Sequence, residues 1–533
     1  MTKTIMHRRT TLAMGLATGA AALFHPAVSR GAESKVLKFI PQSDLTILDP
    51  IVTTVYTARN HGYMVFDTLF GMDSNWKMQP QMLDRVAVED DGKRWVLRLR
   101  EGLLWHDGEK VTAKDCVASI KRWARRNGIG GLMMARTDEL AAIDDRTIQF
   151  RLKKPFAMLP YAMGNISTPM CAMMPERFAN TDPFKGISEM VGSGPFRFKA
   201  DEWLSGSRAV YVKNDKYVPR ADVSTGWTAG GKVVHFERVE WITSPDDGTS
   251  AGAMRAGEMD WWELPTVDLL PVLKRTGKIR VEIKDRNGTL GLMKLNNLQP
   301  PFNNPAIRRA LLGAIVQKDF MTAIAGEDPA MWRDGVGIFS PGTDMASDAG
   351  MEVLNGPRDI AKVRAMIKEA GYNNERTVLL APNDPHYRKA MADVTGGMLQ
   401  SAGFNLDIQS MDWGTAIVRR EIKKPVDQGG WSVLCSTANG LDMQTPALHF
   451  LKTTGETAWF GWTKSERIEE LREAWVDAAD VDTQKKIAAE IQRQCWIDVP
   501  HLPLGIWYQP VAWQNTIDGI PDGFPLFWGA RRV

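Results

Sequence analysis

Histidine, serine and cysteine are the side chains that most often carry chemistry, as metal ligands, proton-transfer groups or nucleophiles. Beyond the first 32 residues the histidines lie far apart along the chain: His61, His106, His235, His386, His449 and His501. No two of them have metal-ligand spacing, and the sequence contains no G-x-S-x-G, H-E-x-x-H or G-x-G-x-x-G motif. We therefore expect no catalytic centre, no cofactor and no metal site, although folding could still bring distant histidines together.

Aromatic side chains indicate a different kind of site, one that holds a ligand without covalent chemistry. The chain has 19 tryptophans, and an indole ring can stack on a sugar or an apolar group while its N–H forms a hydrogen bond. Trp95, Trp123 and Trp475 fit the apolar faces of predicted elements, so we assign them to the core. Trp413 and Trp431 flank a polar segment and are better candidates for ligand contact.

The stretch from Arg94 to Trp123 shows how such residues are positioned. Trp95, Leu97 and Leu99 alternate with polar residues, which predicts a half-buried strand. Asp107-Gly108 predicts a tight turn. Thr112 and Asp115 then form a capping-box pattern ahead of an apolar helical face. The pattern therefore predicts a strand, a turn and a capped helix.

Length and charge limit the possible classes of protein. A chain of 533 residues is too long for one ordinary core and predicts two to four domains. The formal charge is +3, and the first 32 residues hold four basic residues and no acidic one, so the remainder is near 3 − 4 = −1. A nearly neutral body lacks the basic face that nucleic acid requires, so we expect no nucleic-acid partner.

The first 32 residues have the pattern of an export signal. Lys3, Arg8 and Arg9 precede an apolar run from Thr11 to Phe24, which is too short for a permanent membrane span. The paired arginines resemble a twin-arginine signal, and an ordinary secretory signal is the alternative. No cysteine follows the apolar run, so we expect no lipid anchor. These observations predict an exported, periplasmic protein.

The cysteines show no redox or zinc spacing. Four are present, and none forms a C-x-x-C pair: Cys116, Cys171, Cys435 and Cys495. We interpret them as buried free thiols. Export would also permit a disulfide.

Three motifs carry a resemblance to a known family. The pattern R-E-G-x-x-W-x-D-G-x-x-V-T-A-x-D-x-x-x-S, from Arg100 to Ser119, resembles the signature of the family 5 extracellular solute-binding proteins of bacterial ABC importers. Cys116 stands where an aliphatic residue is usual. Val191 to Phe196 is similar to the family's G-T-G-P-Y/F element, and Leu295 to Ala310 resembles a further family segment.

The resemblance implies an α/β fold with two lobes, of the type II periplasmic-binding-protein class with an extra small α+β domain. The β-α-β alternation after Pro357 is consistent with a parallel sheet in one lobe. We expect an export signal at 1–32, lobe I at 33–60 with 180–278 and 498–533, the extra domain at 61–179, and lobe II at 279–497. Two crossing segments would form a hinge that lets the cleft close.

The resemblance also implies where ligand binds. Peptide receptors of the family have W-x-x-D-Y-x-x-P near Trp431 to Phe450, and its Asp binds the ligand's amino group. Here an ungapped alignment places Ala438 and Leu441 at the Trp and Asp positions, and Asp442 substitutes only with a one-residue shift. Arg388 or His386 could hold a ligand carboxylate. The expected ligand-binding residues are Tyr56, Ser193, His386, Arg388, Trp413, Trp431, Ser436, Thr437, Asn439 and Asp442.

The function that the resemblance implies is capture of a peptide or peptide-like solute by lobe closure and delivery to a membrane permease. We expect a monomer whose partners are a small-molecule ligand and the permease subunits of the inner membrane. Opines, oligosaccharides and nickel chelates are alternative ligands. An exported hydrolase with a two-lobed fold, or a secreted chaperone or adhesin, is the alternative class of protein.

Overall fold

A computed structural model describes residues 35–533 except 222–226, 245, 448, 455–457 and 479, with the side chain of His449 also outside the description. The predicted export signal at 1–32 lies outside the described residues. Two large β-sheets and a smaller one organise the described chain. None of the helices in this part of the chain is long and apolar enough to cross a membrane.

The first large sheet has seven strands and is built around Val36–Ile40, which runs parallel to both of its neighbours. Its aromatic side chains form a dense core, in which the Phe39 ring lies 5.2 Å from Trp261 and 5.0 Å from Phe527, both in edge-to-face geometry. In spatial order the strands are Ile279–Ile283, Pro510–Gln514, Trp261–Trp262, Val36–Ile40, Arg238–Ile242, Arg208–Lys213 and Phe196–Phe198.

The second large sheet has six strands. Strand Arg376–Pro382 is flanked by two parallel neighbours, as the β-α-β alternation predicted. In spatial order the strands are Trp332–Arg333, Leu502–Trp507, Thr289–Leu295, Val433–Asn439, Arg376–Pro382 and Asn405–Met411.

The small sheet contains the stretch on which the sequence analysis relied. Strand Arg94–Leu99 leads to a turn with Gly108 at φ +96° and then to helix Ala113–Ala124. Both hydrogen bonds of the Thr112–Asp115 capping box are present, so the predicted strand, turn and capped helix are confirmed. The sheet's strands are, in order, Leu83–Glu89, Arg94–Leu99, Thr147–Leu152 and Thr137–Ala142.

Helices and short elements cover these sheets. The α-helices are Tyr56–Val65, Ala113–Ala124, Gly128–Arg136, Leu159–Gly164, Glu176–Ala179, Asp247–Ala256, Leu270–Lys274, Pro305–Leu312, Gln317–Ala325, Glu352–Asn355, Ile360–Glu369, His386–Ser401, Trp413–Arg419, Glu466–Asp477 and Val481–Asp498. The 3₁₀ turns are Asp90–Gly92, Ala200–Glu202, Val267–Leu269, Val426–Gln428, Gly440–Met443 and His449–Leu451. Two-strand ribbons pair Phe70–Met72 with Met78–Pro80 and Ile517–Asp518 with Arg531–Arg532.

The chain passes between the two large sheets at 284–288 and again at 508–509. The predicted boundaries at 279 and 497 differ from these positions. Strand Ile279–Ile283 pairs with Pro510–Gln514 in the seven-stranded sheet, whereas Leu502–Trp507 pairs with Thr289–Leu295 in the six-stranded sheet. The alternating pattern locates each strand in the sequence but does not reveal its sheet, because that depends on the distant strand with which it pairs.

The four cysteines are buried free thiols, as the sequence analysis interpreted them. Burial raises the pKa of the Cys435 thiol to about 12, although a hydrogen bond to Thr395 acts in the opposite direction. A thiol in this state is a poor nucleophile, so these side chains serve packing.

Candidate ligand-binding site

Polar residues of the seven-stranded sheet gather where two parallel strands end. Val36–Ile40 and Trp261–Trp262 are neighbours, and their carboxyl ends lead to Gln42, Ser43 and Glu263. Ligands of open α/β sheets bind at the carboxyl ends of parallel strands, where loops leave the sheet. This edge of the sheet is therefore one wall of a candidate site.

The six-stranded sheet supplies the opposite wall by the same rule. Strands Asn405–Met411 and Val433–Asn439 run parallel to the central strand Arg376–Pro382. The central strand leads to Arg388 on the following helix, and Asn405–Met411 leads to Trp413. The carboxyl end of Val433–Asn439 contributes Ser436, Thr437 and Asn439.

Two adjoining cavities lie between these walls. One, the arginine cavity, has a volume of about 30 Å³, and the other, the acidic cavity, about 80 Å³. Residues that line both are Gln42, Tyr56, Tyr387 and Thr437. The arginine cavity is further lined by Ser43, Thr54, Arg388, Trp413, Arg420 and Ser436. The acidic cavity is further lined by Arg59, Glu263, Asp285, Thr289, Asn439 and Trp507.

Arg388 is buried in the wall of the arginine cavity. Its guanidinium carbon lies 3.5 Å from the centre of the Trp413 ring, and Nη2 donates to Thr437 Oγ1 at 3.4 Å. Its residual exposure is 6%, and neither Nε nor Nη1 finds an acceptor among the described residues. A buried donor without an acceptor is unfavourable by about 1–3 kcal/mol, more when the group is charged. Arg388 is therefore suited to bind an acceptor that enters the cavity.

A second guanidinium, that of Arg420, lines the same cavity. Its Nη2 donates to Thr54 Oγ1 at 3.1 Å, and its guanidinium carbon lies 4.2 Å from the centre of the Phe460 ring. Burial lowers the pKa of Arg420 to about 10, and the like charge of Arg388 acts in the same direction. Its Nε lacks an acceptor in the described part of the chain.

Two carboxylates line the acidic cavity. Glu263 accepts from the Gln42 backbone N at 2.7 Å and from Asn60 Nδ2 at 3.3 Å, and burial raises its pKa to about 7. Asp285 accepts from Asn439 Nδ2 at 2.5 Å, and burial raises its pKa as well. The arginine cavity is thus basic, whereas the acidic cavity holds two carboxyl groups together with the buried guanidinium of Arg59, whose charge favours their ionised forms.

Tyr56 connects the two walls. Its hydroxyl donates to Asp442 Oδ2 and accepts from the Asn439 backbone N at 2.7 Å. Burial raises the Tyr56 pKa well above its usual value, and the Asp442 carboxylate raises it further. The hydroxyl therefore stays protonated and occupies one oxygen of the only acid in the Trp431 to Phe450 stretch.

Six of the residues proposed from the sequence do meet at the cavities: Tyr56, Arg388, Trp413, Ser436, Thr437 and Asn439. Asp442 does not line either cavity, because it is buried behind the Tyr56 hydroxyl. Trp431 also lies away from the cavities. It is fully buried beneath the sheet, where its Nε1 donates to the Arg420 carbonyl at 3.1 Å.

Ser193 and His386 are likewise outside the cavities. The Ser193 loop packs on the end of helix Tyr56–Val65, where a side chain at Gly192 would meet the Val65 carbonyl at 2.0 Å. The glycines thus serve close packing rather than ligand contact. His386 points away from the cavity, with Nδ1 3.9 Å from Asp247 Oδ2. In the described residues, no group of three or more His, Cys, Asp or Glu could hold one metal ion.

Four charged residues that line the cavities were not predicted from the sequence: Arg59, Glu263, Asp285 and Arg420. Arg420 follows Trp413 by seven positions, and Ala416 and Ile417 lie between them at helical spacing, so all four share one face. That spacing was a usable signal for Arg420. Glu263 follows a two-residue strand, and its place beside Gln42 depends on the pairing of two distant strands, which the sequence does not display.

Comparisons with known proteins show the family to which the chain belongs. A family model described as bacterial extracellular solute-binding proteins, family 5 Middle, matches residues 77–456. A probable peptide ABC transporter periplasmic-binding protein of Sinorhizobium fredii is 35% identical over 99% of both chains. A probable deoxycholate-binding periplasmic protein of Escherichia coli is 24% identical over 94% of this chain and 92% of its own.

Solved structures show the same fold. AgaA from A. tumefaciens R10, in complex with agropinic acid, superposes with a TM-score of 0.77 at 18% identity, covering 93% of this chain and 99% of its own. DppA from Helicobacter pylori, in complex with the peptide STSA, superposes with a TM-score of 0.76 at 21% identity over 93% and 98%. The predicted two-lobed α/β fold is confirmed.

Proposed function

Since the chain belongs to family 5 of the bacterial extracellular solute-binding proteins, we propose that it captures a peptide or peptide-like solute between its lobes and delivers it to a membrane permease. Members of this family are binding components of ABC importers and not enzymes, so the chain has a transport role. Its location is the periplasm, and its partners are a small-molecule ligand and the permease.

Finer features of this role are part of the proposal. The leader at 1–32 directs export, with the paired Arg8-Arg9 suited to the twin-arginine route, and the protein carries no lipid anchor. The mature protein acts as a monomer. The lobes follow the two large sheets, with 61–179 as the extra domain, and they move about the segments 284–288 and 508–509.

The observation that carries the proposal is a cavity walled by both sheets and lined by Arg388, a buried guanidinium with two unused donors. A ligand that contacts both walls stabilises the closed arrangement by its differential affinity for the closed and open states. Interlobe contacts such as Arg420 to Thr54 then hold the closed state, which the permease recognises. The ligand contacts that we propose are Tyr56, Arg388, Trp413, Ser436, Thr437 and Asn439.

Ligand class follows from the two ends of the site. Arg388 is suited to a carboxylate, as at the carboxyl terminus of a peptide. Asp442, the one candidate for the family's amine-binding acid, is occupied by Tyr56 and lies outside both cavities. We therefore propose that the ligand is N-blocked or lacks an α-amino group. A non-peptide acid such as an opine is the second candidate for the same reason, and AgaA, with agropinic acid bound, shares the fold.

Calorimetry of the purified mature protein tests this function. We expect N-acetyl peptides to bind more tightly than the matching free dipeptides, and short neutral sugars not to bind. Tight binding of free dipeptides that is lost in Asp442→Ala would show that Asp442 binds the amino group and would contradict the proposal of an N-blocked ligand. Absence of binding for every small solute, together with measurable hydrolysis, would favour the enzyme alternative instead.

A further inference from the structure

Arg388 and Arg420 lie together at one end of the site. Their guanidinium carbons are 3.5 Å and 6.0 Å from the centre of the same Trp413 ring, and both side chains line the arginine cavity. Exposure is 6% for Arg388 and 4% for Arg420, so water does little to screen the two charges. The protein thus holds two like charges side by side in a nearly closed space.

Among the described residues the neighbouring Glu421 carboxylate partly offsets the charge of Arg420, but neither arginine forms an ion pair with an acid. No carboxylate lies within 4.0 Å of either guanidinium there, and the side-chain hydrogen-bond partners are the neutral hydroxyls of Thr54 and Thr437. Two buried and unpaired cations are strongly unfavourable, since desolvation and mutual repulsion add. A structure with this arrangement is stabilised by an anion that enters from outside.

Other buried cations of the chain are satisfied differently. Arg122 pairs with Asp49 at 2.7 Å, and Lys232 pairs with Asp67 at 2.7 Å. Arg308 has no carboxylate partner, but its three nitrogens all donate to backbone carbonyls, those of Phe302 and Asp498. Arg388 and Arg420 leave three nitrogens unused between them, and all three belong to side chains of the cavity wall.

We propose that Arg388 and Arg420 form one seat for a doubly charged anionic head group, either two carboxylates or one phosphate-type group. This rests on the proposed function and specifies the ligand class of the same site. One guanidinium offers a planar fork to one carboxylate, and two guanidiniums offer two forks. A monoanion would leave one positive charge buried without a partner.

The size of the two cavities fits a ligand that has a compact anionic head group and a longer remaining part. A volume of about 30 Å³ accommodates a few water-sized groups. Gln42, Tyr56, Tyr387 and Thr437 line both cavities, so a ligand whose head binds the arginines continues into the acidic cavity. There Glu263 and Asp285 accept hydrogen bonds, which suits amide or hydroxyl groups at the far end of the ligand.

Matched ligand pairs test the charge of the head. Calorimetry compares N-acetyl-alanyl-glutamate with N-acetyl-alanyl-glutamine, which differ by one carboxylate charge, and N-acetyl-phosphoserine with N-acetylserine, which differ by a phosphate group of charge about −1.5 to −2. We expect the more highly charged member of at least one pair to bind about tenfold more tightly or better, the effect of one good charge-assisted pair. The pair with the larger ratio distinguishes a dicarboxylate from a phosphate-type head.

Variants of Arg420 test whether this residue is responsible for the preference for the more highly charged ligand. We expect Arg420→Gln to reduce the ratio to about threefold or less, and Arg420→Lys, which keeps the charge but not the fork, to restore part of it. Arg419→Gln is the control, because it removes a charge from the adjacent residue. The Arg419 side chain donates to Gln409 Oε1 and to the Gly430 carbonyl, outside the cavities, so this change should leave the affinity ratio unchanged. Because Arg420→Gln removes a buried charge that has no ion-pair partner, its ligand-free melting temperature should not fall.

Ratios near one in both wild-type pairs, or a ratio insensitive to Arg420→Gln, would overturn the two-arginine seat. Native mass spectrometry of the protein isolated with its ligand shows whether the two-arginine seat alone is wrong or whether the proposed transport function is wrong as well. A bound neutral or singly charged solute would leave the transport function in place and reject the seat. A protein that neither carries nor binds any small solute would reject the function itself.

Discussion

The Tyr56 hydroxyl of the first wall donates a hydrogen bond to the Asp442 carboxylate of the second. Because the same hydroxyl accepts from the Asn439 backbone N at 2.7 Å, one side chain links the two walls through two hydrogen bonds. This contact explains why an acid placed near the family's amine-binding position does not face the ligand. It also adds to the contact between the walls that Arg420 makes with Thr54 Oγ1 at 3.1 Å.

Replacement of Tyr56 by phenylalanine should weaken closure. The change removes the bridge and leaves a buried carboxylate without this donor, which we expect to destabilise the closed form by about 1–3 kcal/mol. Small-angle scattering of the ligand-free protein should show a larger radius of gyration, and ligand affinity should fall. Tyr372→Phe is the control, since that hydroxyl donates to the Glu375 carbonyl within the second lobe. Equal effects of the two changes would contradict the bridging role.

Asp477 forms a second link, between helix Glu466–Asp477 and the part of the chain that forms the small four-stranded sheet. Its carboxylate accepts from Arg136 Nη2 at 2.9 Å and from Lys154 Nζ at 2.5 Å. We expect Asp477→Asn to shift the closed-to-open ratio by about fivefold, or about 1 kcal/mol, because the network is partly exposed. Scattering at low and high salt measures the shift, and salt should reproduce it in the wild type. Asp482→Asn, an exposed acid on the next helix, should change neither quantity.

Local elements were accessible from sequence because their determinants are local. The strand, turn and capping box from Arg94 to Asp115 depend on neighbours within a few residues, and each was predicted correctly. The sheet to which Ile279–Ile283 belongs depends on Pro510–Gln514, more than two hundred residues away. A period-two pattern holds no information on that partner, so the sequence does not show to which sheet this strand belongs.

The candidate site likewise contains residues that could be predicted from local sequence and residues that depend on distant parts of the chain. Residues of one segment, such as Ser436, Thr437 and Asn439, could be proposed from their position in the chain. Whether a member of that segment faces ligand depends on what packs in front of it, and for Asp442 this is Tyr56, nearly four hundred residues earlier. The acidic cavity depends on such long-range packing throughout, so none of the sequence arguments pointed to Glu263.

The two candidate tryptophans should respond differently to mutation. Trp413→Leu removes the ring on which Arg388 lies, so we expect ligand affinity to fall about fivefold or more while stability changes moderately. Trp431→Phe removes a fully buried indole and its bond to the Arg420 carbonyl, which should lower stability by about 1–3 kcal/mol and affinity less. Denaturant unfolding measures the change in stability of each variant. Calorimetry, at a temperature at which both variants are folded, measures the change in ligand affinity. The opposite ranking would place Trp431, rather than Trp413, at the ligand.

Glu263 should give the ligand-free protein a distinct pH dependence. Burial raises its pKa from the usual 4.5 to about 7, so between these values the folded state keeps a proton that the unfolded chain has released. The stabilisation from this group is therefore complete below the unfolded pKa and is lost as the pH rises through about 7. Glu263→Gln mimics the protonated carboxyl at every pH, and its advantage over wild type should grow with pH, up to about 3 kcal/mol above pH 8.

Denaturant unfolding of both proteins at about pH 5 and about pH 8 measures this difference. His61 and His106, whose pKa values burial lowers to about 3 and about 4, contribute the opposite slope, since folding keeps them neutral. Both variants share these histidines, so their contribution cancels in the comparison. Glu258→Gln, at an exposed turn, should show no pH-dependent difference. A Glu263→Gln advantage that stays constant across this range would mean that the carboxyl is ionised throughout and that hydrogen bonds from Gln42 outweigh its burial.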